Sequence, residues 1–191
     1  MAKEVKKDII ADAALSCFLA SGYGATSVDE IAKASGMSKG GIYWHFKSKE
    51  EIFIYLITRL VEEWNAHYIA TLKDTHTASD KLVKYVEHHL QDVDTPFTAL
   101  VLEFLLQNKD KENVIKMHYE IDKPTNVIFT IIKEAVENGE FKPMDPKILT
   151  RSFLAIFEGC VLQSFMHQDK QLLEETMKTA LDIFLTGVRA N

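Results

Sequence analysis

One short stretch of the chain concentrates groups that can bind polar ligands, and it reads Ser38-Lys39-Gly40-Gly41-Ile42-Tyr43-Trp44-His45-Phe46. Its adjacent glycines cost a helix roughly 2 kcal/mol relative to alanine. Three consecutive ring-bearing residues cannot all face one core, because successive helical residues point about 100° apart. The glycines would instead let the backbone approach a ligand closely. The composition therefore favours contacts with phosphates and base edges over a purely structural role.

Two short helices are expected to position this stretch. Ser27 and Glu30 have the spacing of a capping box and begin a helix over 28–34. The turn at Gly36 ends that helix, and a third helix is predicted over 38–45. Two short helices joined by a glycine-containing turn form a helix-turn-helix, whose second helix enters the major groove of DNA.

The remaining sequence also has helical periodicity. Apolar residues at spacings of three and four predict a first helix over 4–20, and a capping box at Ser48 and Glu51 begins a long helix. No alternating pattern indicates a strand. Pro124 lies inside a predicted helix, where it either kinks that helix or begins a new one. Further helices are predicted over 78–93, 96–108, 111–137, 146–167 and 170–188.

Residues 27–53, SVDEIAKASGMSKGGIYWHFKSKEEIF, resemble the DNA-binding signature of the TetR family of bacterial transcriptional regulators. The resemblance extends back to about Ile9 and covers roughly the first quarter of the chain. It implies an all-α fold with two domains. These are an N-terminal three-helix helix-turn-helix domain, residues 1–48, and a larger helical effector-binding and dimerisation domain, residues 49–191.

The resemblance also implies which residues contact DNA. Because Gly40-Gly41 replaces a side chain that reads bases in some members, direct readout is expected to rest on Lys39 and Tyr43. The lysines at positions 3, 6 and 7 are either solvated or contact DNA as an N-terminal arm. Lys39, Gly40, Gly41 and Tyr43 are expected to face the groove, Ser27, Trp44, His45 and Lys49 to lie at or near phosphates, and the helix cap Ser38 to join this DNA-binding set.

Apolar and aromatic residues of the second predicted domain could line a ligand pocket. Glu103 is the exception in a helix that is apolar nearly all round, so it needs a partner, which could be an internal cation, a cationic ligand or solvent. The apolar lining favours an unidentified lipophilic effector. The candidate ligand-binding residues are Trp64, Tyr68, Glu103, Phe104, Met117, Tyr119, Phe129, Phe157 and Phe165.

The last third of the chain predicts a homodimer interface. Ser152, Ala155 and Gly159 place small residues along one helical stripe, where two helices can approach closely. The resemblance implies that this helix and the one over 170–188 pair with their symmetry mates. Ordinary packing within one chain is the alternative.

Other classes of chemistry find no support in the spacing of residues. None of the seven histidines forms an i, i+4 pair, so no metal and no cofactor is expected. No catalytic triad or phosphate-binding loop is present. A helical enzyme remains an alternative, because catalytic groups can come from distant parts of a chain, but it would not explain Lys39 to Lys49. The resemblance favours a homodimeric repressor that a small-molecule effector releases from a pseudo-palindromic operator, and a transcriptional activator is the second alternative to it.

Net charge is −6, from 22 basic and 28 acidic residues, which would ordinarily argue against nucleic acid. The imbalance belongs to residues 51–191, which carry −7, whereas residues 1–50 carry +1. Residues 31–49 hold four lysines and no acid, which predicts a specific, salt-sensitive DNA binder. Two distant cysteines and the lack of an apolar span predict a cytoplasmic protein that does not enter membranes.

Overall fold

A computed structural model describes residues 2–92, 97–121, 123–167 and 169–190. The all-α prediction is confirmed over these ranges, where the pairing found outside the helices is an isolated bridge between Phe141 and Arg189. The ten helices found there are α1 (Ala2–Ser21), α2 (Val28–Ser35), α3 (Lys39–His45), α4 (Lys49–Ala70), α5 (Ala78–Asp92), α6 (Phe97–Gln107), α7 (Lys111–Ile121), α8 (Lys123–Glu137), α9 (Pro146–His167) and α10 (Lys170–Val188).

The predicted capping groups begin and end the helix-turn-helix. Ser27 Oγ accepts a hydrogen bond from Glu30 N at 3.2 Å, and Glu30 Oε2 accepts one from Ser27 N at 2.7 Å, so the capping box is confirmed. Gly36 follows α2 with φ of 68°, in the left-handed region that favours glycine. Ser38 Oγ accepts from Gly41 N at 3.1 Å and begins α3.

The second predicted capping box, at the start of α4, is half formed. Ser48 Oγ accepts a hydrogen bond from Glu51 N at 3.3 Å, as predicted. The Glu51 carboxylate accepts instead from Lys47 N, at 2.6 Å. The Glu51 carboxylate therefore accepts from the backbone N–H of Lys47, whereas in a capping box it would accept from that of Ser48.

Pro124 lies two positions after residue 122, which is outside the described residues, so both alternatives, a kinked helix and a new helix, stay predictions. Helix α7 ends at Ile121, and Pro124 is the second residue of α8. The first turn of a helix tolerates proline, because its missing N–H has no partner within the helix. The described chain is helical on both sides of residue 122, and Pro124 lies in the first described turn of α8.

The first of two compact units combines Met1–Glu63 with Thr95–Asp122. Its core contains an aromatic cluster around Phe53, whose ring centroid lies 5.4 Å from that of Phe18, 4.9 Å from Tyr23 and 4.8 Å from Phe104. Phe104 comes from α6, far along the chain from the helix-turn-helix. The first unit is therefore larger than the DNA-binding domain expected over residues 1–48, and that functional boundary stays a prediction.

The second compact unit combines Trp64–Asp94 with Lys123–Asn191. Its core is apolar and aromatic, and it includes Tyr68, Tyr85, Phe153 and Phe157. Glu140 fixes the start of α5, because its carboxylate accepts hydrogen bonds from the backbone N–H groups of residues 78 and 79 at 2.8 and 2.9 Å. Within the described ranges, every helix is too short or too polar to serve as a membrane-spanning segment.

Candidate DNA interface

Helix α3 has one buried and one exposed face. Ile42 and Phe46 are almost completely buried in the core of the first unit, at the i, i+4 spacing that anchors the helix. Tyr43 is 48% exposed and Trp44 is 67% exposed. Two large rings are thus presented to solvent by a rigid helix, which is the arrangement expected of a surface that reads a partner.

The glycine pair lies on the same open surface. Neither Gly40 nor Gly41 has a positive φ, so the backbone conformation does not require glycine. A Cβ added at Gly40 would meet no other atom within 4 Å, and one at Gly41 would lie 3.3 Å from Ser38 Oγ. Packing inside the protein therefore does not explain Gly40, and its role in a close approach to DNA stays a prediction.

Two serines mark the exposed N-terminal ends of α2 and α3, where the helix dipole favours a phosphate. Ser27 and Ser38 both cap their helices. The Glu30 carboxylate also occupies the start of α2, and hydrogen bonds from the backbone and hydroxyl of Ser27 lower the pKa of Glu30. This negative charge reduces the attraction of a phosphate at Ser27. The start of α3 carries no acid in its first turn.

Lys39 is less free than the sequence suggested. Its Nζ lies 2.9 Å from Asp29 Oδ2, and this hydrogen bond raises the pKa of Lys39. Both side chains are mostly exposed. The four lysines of residues 31–49 predicted a purely positive surface, but Asp29, which precedes that stretch, neutralises one of them across the turn.

Lys49 donates its hydrogen bonds to backbone carbonyl groups within the first unit. Its Nζ donates to the carbonyl oxygens of Tyr23 at 2.7 Å and Thr26 at 2.9 Å, and it lies 4.2 Å from the centroid of the Tyr23 ring. Burial lowers the pKa of Lys49. The ammonium that was expected near phosphates therefore has its donors directed at the loop between α1 and α2.

His45 was expected near phosphates, and the N-terminal lysines were expected either to be solvated or to contact DNA as an arm. His45 is only 8% exposed and packs edge-on against Trp44, with ring centroids 4.6 Å apart. Helix α1 begins at Ala2, so Lys6 and Lys7 lie on a helix and do not form an extended arm. Lys7 Nζ lies 5.0 Å from the Phe46 ring centroid. The side chain of Lys3 lies outside the described residues.

The predicted ligand-binding residues do not belong to one cluster. Trp64, Tyr68 and Phe157 belong to the core of the second unit or pack against it. Phe104 and Met117 are instead fully buried in the core of the first unit. Tyr119 is 69% exposed, Phe129 is half-buried, and the side chain of Phe165 is not among those described.

Glu103 has a different environment from the one its sequence context suggested. Its two carboxylate oxygens accept hydrogen bonds from the backbone N–H groups of Tyr23 and Gly24, each at 2.9 Å. The hydrogen bond from Gly24 N has the largest effect on the pKa of Glu103, and together with the bond from Tyr23 N it lowers that pKa. The helix α6 therefore uses this carboxylate to hold a loop of the first unit, and the suggestion of a cationic ligand at Glu103 loses its basis.

An aromatic cluster surrounds Trp64 in the second unit, and the sequence did not predict it. The Trp64 ring centroid lies 5.4 Å from Tyr85, 4.6 Å from His88 and 5.7 Å from His89. His88 Nε2 lies 3.2 Å from Trp64 O. His88 also lines a polar cleft of about 340 Å³. The adjacent histidines were the feature of the sequence that could have indicated this cluster. Among the described residues, no group of three or more His, Cys, Asp or Glu could hold a metal ion.

The chain matches two known protein-family descriptions. Residues 10–56 match "Bacterial regulatory proteins, tetR family", and residues 60–190 match "QacR-like protein, C-terminal region". The second match alone covers more than half of the chain. The first coincides with the helix-turn-helix and the start of α4.

Individual relatives are similar over almost the whole chain. The Fatty acid metabolism regulator protein of Bacillus subtilis is 25% identical over 94% of this chain and 93% of its own length. The HTH-type transcriptional regulator QacR of Staphylococcus aureus is 28% identical over 95% of this chain and 97% of its own. The crystal structure of FadR from Bacillus subtilis in complex with stearoyl-CoA has a TM-score of 0.81, 24% identity and coverage of 95% of this chain and 98% of that one. With its exposed α3 surface and both family matches, this chain belongs to the TetR family of DNA-binding transcriptional regulators.

Proposed function

We propose that the protein is a homodimeric repressor that acts in the cytoplasm and is released from a pseudo-palindromic operator by a small lipophilic effector. One observation carries the DNA-binding part of this proposal: α3 is anchored by Ile42 and Phe46 while Tyr43 and Trp44 face solvent. In a dimer, two such helices would enter successive major grooves about 34 Å apart. Its relatives are named as regulators, which favours this role over that of an enzyme.

The residues divide into three roles in this proposal. Tyr43, with the open backbone at Gly40 and Gly41, reads the groove together with Lys39. Ser27, Ser38 and Trp44 contact phosphates. His45 is buried and Lys49 donates internal hydrogen bonds, so both hold the DNA-contacting residues in place without touching DNA.

A DNA selection experiment tests the proposal. Wild-type protein is incubated with fragments of the source genome, and the bound fragments are sequenced. We expect one or a few sites with inverted-repeat symmetry that lie close to promoters. A promoter-reporter assay with and without the gene then separates repression from activation, because deletion of a repressor raises expression and deletion of an activator lowers it.

Asp29→Asn is expected to strengthen operator binding several-fold at low salt. The substitution removes a negative charge from the DNA-facing side and releases the Lys39 ammonium, which lies 2.9 Å from the Asp29 carboxylate. The slope of log affinity against log salt concentration should become steeper by about one for each released cation. Fluorescence anisotropy across a salt series measures both quantities. Glu134→Gln, at an exposed acid on α8, is the control and should leave the slope unchanged.

The dimer interface is assigned to the exposed stripe of α9. Ser152, Ala155 and Gly159 are exposed there, and so are the large apolar side chains of Ile148 and Leu162. A Cβ added at Gly159 would meet nothing within 4 Å. The stripe is therefore unfilled within one chain, and a symmetry-related copy of α9 would cover it.

Ala155→Glu is expected to convert the dimer into a monomer at micromolar concentration. Each dimer would have to bury two unpaired carboxylates, and each would destabilise the interface by several kcal/mol. Sedimentation velocity measures the change in oligomeric state. Ala66→Glu introduces the same charge at an exposed position of α4 and should leave the dimer intact. Unchanged dimerisation of Ala155→Glu would place the interface elsewhere.

We place the effector in the second unit, near the Trp64 aromatic cluster. The apolar and aromatic composition of the second unit's core favours a lipophilic ligand. One relative is named a fatty acid metabolism regulator, and a similar structure contains stearoyl-CoA. Titration with stearoyl-CoA, and separately with free coenzyme A as the control that lacks the acyl chain, tests this assignment. The true effector must weaken operator binding by the same factor by which operator DNA weakens effector binding.

A further inference from the structure

The loop between α1 and α2 is held by charged side chains from two helices. From α6, Glu103 Oε2 accepts from Tyr23 N and Glu103 Oε1 accepts from Gly24 N, both at 2.9 Å. From α4, Lys49 Nζ donates to Tyr23 O at 2.7 Å and Thr26 O at 2.9 Å. The carboxylate thus satisfies the N–H groups of the loop and the ammonium satisfies its carbonyl groups.

Packing around this loop is close and specific. The Phe104 ring, next to Glu103, lies 5.1 Å from the Tyr23 ring, centroid to centroid. Gln107, one helical turn later, donates from Nε2 to Glu103 Oε1 at 3.0 Å. A Cβ added at Gly24 would lie 2.4 Å from the Gln107 amide group, so the side chain of α6 approaches the bare loop backbone. Both the position and the orientation of the Glu103 carboxylate are therefore defined.

The loop leads directly into the surface that is proposed to bind DNA. Thr26 Oγ1 donates to Gly22 O at 2.7 Å, and the next residue, Ser27, caps α2. The Tyr23–Gly24 backbone is therefore only three residues from the start of α2, and α2 contacts α3.

We propose that Glu103 is a positioning residue for operator binding, which fixes the α1–α2 loop from α6 without touching DNA. This inference rests on the proposed function of the protein as an operator-binding regulator. It assigns to a residue in the middle of the chain a role that the helix-turn-helix signature does not contain. Charge alone makes the opposite prediction, because removing an acid from a DNA-binding unit should strengthen its attraction to phosphates.

Glu103→Gln tests the inference, with Glu112→Gln as the matched control. Both substitutions remove one negative charge from the first unit, but Glu112 is an exposed residue of α7. For Glu103→Gln we expect operator affinity at 20 °C to fall at least tenfold, with helical content unchanged. The amides of Tyr23 and Gly24 should exchange with deuterium faster. Glu112→Gln should change neither quantity by more than a factor of two.

Several outcomes would overturn the inference. Wild-type affinity of Glu103→Gln for the selected operator would do so, and so would unchanged exchange at Tyr23 and Gly24. If Glu103→Gln does not fold, Glu103→Asp provides a second test, because it keeps the charge but shortens the reach by one methylene, and the same loss of affinity is expected. Failure of the wild-type protein to select any DNA would instead refute the proposed function itself.

Discussion

Tyr43→Ala is expected to weaken operator binding by thirtyfold or more while leaving thermal unfolding unchanged. Tyr43 is about half exposed on α3, so its removal leaves no cavity in the core. A side chain that contacts base edges contributes roughly 1–3 kcal/mol of discrimination, and a dimer loses two such contacts. The expected total loss is roughly 2–6 kcal/mol. The lower end of this range corresponds to an operator affinity about thirtyfold weaker, and its middle to one several hundredfold weaker. Fluorescence anisotropy with the selected operator measures this loss.

Tyr119→Ala is the control for Tyr43→Ala. It removes the same side chain from an even more exposed position on another helix, α7. Operator affinity and the melting temperature should both stay at the wild-type value. If Tyr43→Ala kept wild-type affinity for the operator, the exposed face of α3 would not be the reading surface.

Phe104→Ala is expected to destabilise the first unit by roughly 3–5 kcal/mol, the range for removing a fully buried phenylalanine ring. Phe104 is 0% exposed, and its ring stacks on Phe53 at 4.8 Å with an interplanar angle of 10°. It also contacts Tyr23 edge-on. Because the cavity would open beside the helix-turn-helix, operator binding should be lost at a lower temperature than in the wild type. Urea unfolding followed by circular dichroism measures the free energy of unfolding.

Leu106→Ala provides a matched comparison on the same helix. Leu106 is 85% exposed, so its truncation should change the free energy of unfolding by less than about 0.5 kcal/mol. Equal stability of the Phe104→Ala and Leu106→Ala proteins would show that α6 does not complete the core of the first unit.

The local features of the fold were predictable from the sequence. The capping box at Ser27 and Glu30, the left-handed turn at Gly36 and the cap at Ser38 depend on residues three or four positions apart. Such contacts leave a spacing pattern that can be seen in a single sequence. For the same reason, the anchoring of α3 by Ile42 and Phe46 followed from their i, i+4 spacing, and the structure confirms it.

Contacts between distant segments were not predictable in this way. The Glu103 bonds to the α1–α2 loop join residues about 80 positions apart, and those from Lys49 to the same loop span 23 to 26. No periodicity marks which carboxylate meets which amide. The assignment of Phe104 and Met117 to a ligand pocket stood on their apolar character, which core and pocket residues share. Only the packing of α6 and α7 places them in the first unit.

The pairing of Asp29 with Lys39 shows a further limit of sequence reasoning. Counting charges over residues 31–49 excluded Asp29, although the helix-turn-helix brings its carboxylate to 2.9 Å from Lys39 Nζ. The electrostatic surface of a folded domain depends on neighbours in space. The net charge of a sequence window therefore overstated the positive field of the DNA-facing side.

The exposed face of α3 is proposed to read a specific operator, and the ratio of the affinities for two DNA duplexes tests this. Wild-type protein is titrated into its selected operator and into a scrambled duplex of the same composition, at about 0.15 M salt. We predict affinity for the operator greater by a factor on the order of 10³ or more, and a loss of most of that ratio in Tyr43→Ala. Comparable wild-type affinities for the two duplexes would show that the protein does not read a specific operator sequence.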